Sequence, residues 1–459
     1  MRVDGAITSG TLLKFTKRVF EAAAVKARDI DASWECGKGT PVFTVGGRYT
    51  TRGWTEWTQG FQYGCMILAG EGSGDRALVE RGRTLTFERM LPHVTHVGVH
   101  DHGFNNLSTY GNLLRLALEG QYGVEADVAR CRDLLAVSGA VQAARWSEMA
   151  DGDGYIYSFN GPQSLFVDTL RSLRILGVAH QLGHTLMVEN DKRVNLLGRL
   201  VQHALTTDRR LVFHGDSEHT YDVRGRTAHE GIFNVKDGAF RCRSTQQGYS
   251  PFSTWTRGLA WAVLGYAEQC EFLAVLSDDE LERAGISLTA AEVRQRFLCA
   301  ALATADHYIS DVTAADGIPY WDDGGPELHR LGEWRDVAAD PYNDFEPVDS
   351  SAAAIAAQGL LRLGRLLGQR EGEKYTSAGL SVAQTLMQEP YLEGSAAHQG
   401  LLLHSVYHWP NRWDHIPDGA KVTRGESSLW GDYHLLELAL LIERLAGDSP
   451  YPAFWCLGG

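Results

Sequence analysis

Residues 245–266 read TQQGYSPFSTWTRGLAWAVLGY, a polar and aromatic loop that runs straight into a strongly apolar helix. The same pattern recurs along the chain. Apolar residues return at helical spacing over 11–27, 56–70, 73–90, 106–120, 122–146, 164–182, 189–208, 255–276, 289–311, 350–367, 370–388 and 429–447. Connections are rich in Gly and Asp, and no Pro/Ser-rich linker divides the chain. A dozen helices without a linker predict one closed toroid of inner and outer helices: an all-α (α/α)6 barrel, with 1–459 as a single catalytic domain. Only 212–246 reads as strand, a small β-hairpin insertion around Lys236, Asp237 and Gly238. In such a ring the loops at one end form a funnel, and polar residues at inner-helix ends face it.

Composition narrows the function. The chain has 459 residues, 44% hydrophobic and 22% charged, an ordinary enzyme profile. Its formal net charge is −14 and no basic stripe is present, which argues against nucleic acid. No stretch reaches the length of a membrane span, so no membrane partner is expected. The amphipathic N-terminus lacks the apolar core of a signal peptide. Seven scattered cysteines without CxxC read as reduced thiols, and the expected location is cytoplasmic. Neither a metal motif nor a Walker loop, GxGxxG or GxSxG is found, so no cofactor is expected.

Several helix starts carry unusual polar residues. Arg257 and Trp261 lie four apart and share a helical face. A guanidinium beside an indole suits an anionic ring, because Arg pairs bidentately with carboxylates. Such pairs also stack on each other with no ligand. Asp168 sits in the apolar run SLFVDTLRSLRIL, 164–176. Burial there would raise its pKa and suit a proton donor, although capping or an Arg partner explains a buried Asp equally well. Asp101, in HDHGF, fits an N-cap, as does Asp349 ahead of an Ala-rich helix. Two carboxylates in one pocket would form a glycosidase-type pair. On local grounds His229 reads as surface decoration of the hairpin, and Trp57 reads as core.

Seven pieces in fixed order resemble the unsaturated glucuronyl hydrolases of glycoside hydrolase family 88. They are WTQGF (57–61), HDHGF (100–104), VDTLRSL (167–173), TQQGYS (245–250), STWTRGLAWAVLGY (253–266), PVDSSAAAIAAQGLLRL (347–363) and SLWGDYHLLELAL (428–440). The resemblance implies an (α/α)6 barrel without a cofactor. It also implies removal of a terminal 4,5-unsaturated uronic acid from lyase-generated oligosaccharides, by hydration of the C4=C5 vinyl ether. By the same resemblance Asp168 matches the general acid/base and Asp101 the second acidic residue. Trp57, His229, Gln247, Arg257 and Trp261 match substrate-binding positions. Gln246 departs from the family's common HQG, and the segment around 209–228 is longer; both bear on substrate preference. Unsaturated rhamnogalacturonyl hydrolases, sugar epimerases and a non-catalytic oligosaccharide-binding barrel stay open as alternatives. Paired histidines would mark an epimerase, and the sequence identifies none.

Overall fold

The computed structural model of the protein describes residues 1–53, 56–122 and 125–457. Among them, six inner helices alternate with six outer ones. The inner set is Gln59–Ser73, 102–118, 169–181, Thr256–Val275, 350–367 and Leu429–Ala446. The outer set is Ser9–Ser33, Arg76–Arg89, Val128–Ala144, Leu196–Leu211, Ala290–His307 and 369–386. Inner helices pack in sequence order, and the last closes on the first. The ring is the expected all-α (α/α)6 barrel.

Burial follows this division. Thr256–Val275 is buried on nearly every face, because neighbours surround it, whereas Ser9–Ser33 buries a single stripe. Side-chain caps fix several starts. Thr8 and Thr289 each form a capping box, and Asp75, Asn195 and Ser428 accept backbone N–H groups. The fifth inner and sixth outer helices form one helical run, Ser350–Leu386, that reverses at Gly368 with φ 76°. The reversal packs the two halves so closely that a Cβ on Gly372 would lie 1.9 Å from the Gly364 carbonyl oxygen.

The sheet content is larger than the sequence predicts. The hairpin is present as Glu230–Phe233 paired with Phe240–Ser244. A third antiparallel strand, Ser164–Phe166, joins it, where the apolar pattern predicts the start of a helix. A short run such as SLF fits a buried strand as well as a buried helix, and only its partner decides. Three further two-stranded pairs occupy 43–50, 146–156 and 186–194. Among the described residues, no helix is long and apolar enough to cross a membrane.

Candidate active site

Inner-helix starts and the loops beside them enclose a cleft of about 520 Å³, whose walls include Trp57, Asp101, Asp168, Gln247, Arg257 and Trp261. Helix starts at Asp101, Asp168 and Trp255 line it, and the dipoles of such N-termini favour negative charge despite the acidic chain.

Asp101 and Asp168 occupy N-cap positions, yet neither side chain caps its helix. Asp349 is the contrast: its Oδ1 accepts the Ser351 and Ala352 N–H groups as an ordinary cap. The two uncommitted carboxylates instead flank His100. Its Nε2 lies 3.1 Å from Asp168 Oδ1 and 3.8 Å from Asp101 Oδ1. Burial pushes the Asp101 carboxyl up to about 6; His100 opposes the shift and Asp168 adds to it. Burial alone would lower the His100 pKa, but the two carboxylates more than offset it and raise the value. Two acids and an imidazole therefore sit in contact at the cleft. His100 has no role in the sequence reading, although its neighbour Asp101 does. Its importance comes from Asp168, 68 residues away in the chain.

His229 is not surface decoration. It is 2% exposed, and the pairing of Ser164–Phe166 with Glu230–Phe233 carries it alongside Asp168, with Val167 N–H donating to the His229 carbonyl at 3.0 Å. Its Nδ1 accepts the Gln246 N–H at 3.0 Å and faces the Gln247 N–H at 3.4 Å. Nδ1 is thus the unprotonated nitrogen. Burial pushes this imidazole down to about 4.

The Arg257 fork expected to meet a ligand carboxylate is filled from within the protein. Nη1 donates to Asp349 Oδ2 at 3.0 Å and to the Val406 carbonyl. Nη2 donates to Gln247 Oε1 and the Tyr407 carbonyl, at 2.8 and 2.7 Å. Its aromatic neighbours are Trp255 and Trp430, at 4.8 and 5.0 Å, rather than Trp261. Shared helical face did not bring Arg257 and Trp261 into contact, because tryptophans from other segments fill the space beside the guanidinium. Arg257 therefore positions Gln247. With Oε1 taken, the amide NH₂ of Gln247 is the end left for a ligand.

Trp261 packs 4.9 Å from both Phe104 and His434 and presents an edge to the cleft. Trp57 stacks on Trp430 at 5.2 Å, so it belongs to the core and to the cleft wall together. The sequence reading missed the far wall, Tyr407, His408, Asn411 and Trp413. The aromatic density of YHWPNRW (407–413) was the available signal.

No protein-family model matches the chain. The unsaturated glucuronyl hydrolase of Bacillus sp. (strain GL1) is 28% identical over 410 residues, covering 86% of this chain and 89% of that protein. The unsaturated chondroitin disaccharide hydrolase of Streptococcus pyogenes serotype M1 is 25% identical over 411 residues, covering 87% and 84%. Over most of its length the chain is therefore similar to unsaturated glucuronyl hydrolases. The crystal structure of the Bacillus sp. GL1 enzyme, described as responsible for degradation of glycosaminoglycan, superposes with TM-score 0.67 at 23% identity, over 94% of this chain and 98% of that one. That likeness carries the barrel, and the ordered sequence pieces fall at its mouth: HDHGF and VDTLRSL supply the two carboxylates, TQQGYS and STWTRG the opposite wall.

Proposed function

We propose that this protein, a glycoside hydrolase of the unsaturated glucuronyl hydrolase type, removes a terminal 4,5-unsaturated uronic acid from oligosaccharides left by polysaccharide lyases. The whole chain serves as one catalytic barrel in this reading. The observation that carries it is the pair of cap-position carboxylates, freed from capping and joined through His100 at the cleft.

The chemistry follows from what this cluster holds. Asp168 delivers a proton to C4 of the vinyl ether. Positive charge develops at C5 and the ring oxygen, and ionised Asp101, aided by the helix termini around the C6 carboxylate, stabilises it. Asp168, now a base, takes a proton from water as the oxygen bonds to C5. The hemiketal opens by breaking the bond between C5 and the ring oxygen, and the freed hemiacetal at C1 expels the next sugar. One water is consumed, and Asp168 ends protonated as it began. His100 holds Asp168 in place, and Gln247 offers its amide NH₂ to the substrate carboxylate.

The test is a panel of unsaturated disaccharides from chondroitin, heparin and hyaluronan lyases. Loss of ultraviolet absorbance of the conjugated C4=C5 bond is expected for at least one member. Binding without loss of absorbance would place the protein among non-catalytic oligosaccharide binders. Turnover of saturated glycosides alone would replace hydration by ordinary hydrolysis.

A further inference from the structure

Behind the Gln247 wall two adjacent acids are buried, and the reaction uses neither. Asp322 is 0% exposed, and the Asp323 side chain 4%. Burying neighbouring carboxylates is costly unless each gains partners. The partners found include backbone N–H groups at both ends of one loop. Asp322 Oδ2 accepts the Tyr249 N–H at 2.8 Å, and its Oδ1 accepts the Gly324 N–H at 2.9 Å. Asp323 Oδ1 accepts the Thr254 N–H at 2.6 Å, and the Asp323 N–H donates to the Thr254 carbonyl at 3.0 Å. Its Oδ2 faces His307 Nε2 at 3.5 Å and Arg226 Nη2 at 3.4 Å. Arg226 belongs to the long 209–228 segment and also donates to the Phe252 carbonyl at 2.7 Å. Between the two anchors the chain makes a small turn, with Ser253 Oγ donating to the Ser250 carbonyl at 3.1 Å. Gly248 lies so close that an added Cβ would stand 2.9 Å from Asp322 Oδ2.

We propose that Asp322 and Asp323 are positioning residues: adjacent carboxylates that pin the two ends of 249–254 and thereby hold Gln247 in the cleft wall. Each carboxyl accepts a backbone N–H from one end of the loop, and the bond to an ionised acceptor such as Asp323 is the stronger, so the loop stays in one place. His229 fixes the front of the same segment through Gln246. Burial and the neighbouring Asp323 raise the Asp322 pKa, while His307, Arg226 and the Thr254 N–H hold Asp323 below the usual range against its own burial. The pair therefore settles with unequal charge, which limits repulsion between the two anchors.

The inference rests on the proposed activity for its kinetic readout, and a second readout is independent of substrate. In Asp322→Asn an amide NH₂ replaces one of two accepting oxygens, so one backbone N–H faces a donor. KM for the unsaturated disaccharide is expected to rise about tenfold with kcat changed less than about threefold, since a binding contact is lost rather than the proton donor. In a Gln247→Ala background the same substitution is expected to add nothing to KM, because both changes act through one contact. Backbone amide exchange across 246–254 is expected to accelerate. Gly248→Ala, which crowds the same oxygen, serves if Asp322→Asn does not fold. An unchanged KM in folded variant, or full additivity with Gln247→Ala, overturns the role. If the wild-type protein turns over no unsaturated disaccharide, the proposed activity falls, and amide exchange alone decides the clamp. Unaltered exchange in the variant sinks it.

Discussion

The cleft and the ring interior below it both bury charge, yet they treat it differently. Below the cleft, along the inner helices, basic and acidic side chains interlock. Arg171 pairs with Glu268 and Glu437, Arg362 with Glu268 and Glu271, and Arg115 and Arg444 with Glu71 and Glu119. Each acid there meets a guanidinium. At the cleft Asp349 still meets Arg257, but the balance breaks at the other two acids. Asp101 and Asp168 share one imidazole, and the space beside them is a cleft. Burial alone therefore does not mark a reactive group. A buried acid whose partners are too few to fix its proton does, and the same helices supply both environments one to three turns apart.

The comparison breaks first at Asp168. Asp168→Asn keeps the shape but holds no transferable proton, so turnover should fall about 10²–10⁴-fold with the melting temperature little changed. A folded variant that keeps more than about a tenth of wild-type activity would remove Asp168 as the acid. Glu437→Gln addresses the ring interior. Burial alone would raise the Glu437 pKa, but Arg171 and Arg174 hold it well below the usual range. Leaving two buried guanidiniums with Glu268 as their one remaining acid should cost about 3–5 kcal/mol of stability, read from denaturant unfolding, while KM of the folded fraction stays unchanged. A large KM change would show that the two regions are not independent.

Asp101→Asn sharpens the mouth's side of the contrast. Activity should drop, and a pH–rate limb that reports His100 should move to lower pH, since the Asp101 charge that raises its imidazole has been removed. Stability should respond as well. The folded-state pKa of Asp101, about 6, lies above its ordinary value of 3.8, so the folded state binds more protons between them. That contribution is present at low pH and is lost as pH rises from about 4 to about 6. The Asn variant should lack this loss, and melting temperatures measured across that window check it. The smallest effect is expected at Arg257→Lys. Lys keeps the charge but cannot hold Asp349, Gln247 and two carbonyls together, so KM should rise about tenfold. Unchanged affinity in a well-folded variant would detach Arg257 from the site.

Helical periodicity, the absence of a linker and the ordered motifs made the barrel and most of the cleft residues legible from the chain. Such signals are local, because amphipathic spacing records which face a helix buries. Asp349 as a cap was legible for the same reason, since cap and helix are neighbours in sequence. The structure alone decided what each polar residue does. Asp101 and Asp349 look alike as helix starts, but only the second caps, because Ser351 and Ala352 present their N–H groups to it while His100 lies beside the first. His229 became a buried partner of Gln246 only when a strand formed at 164–166, and Arg257 lost its free fork only when 406–407 closed over it. Those contacts join residues 17 to 150 positions apart. Periodicity and capping act within a few residues, so nothing in the local sequence encodes which distant group arrives.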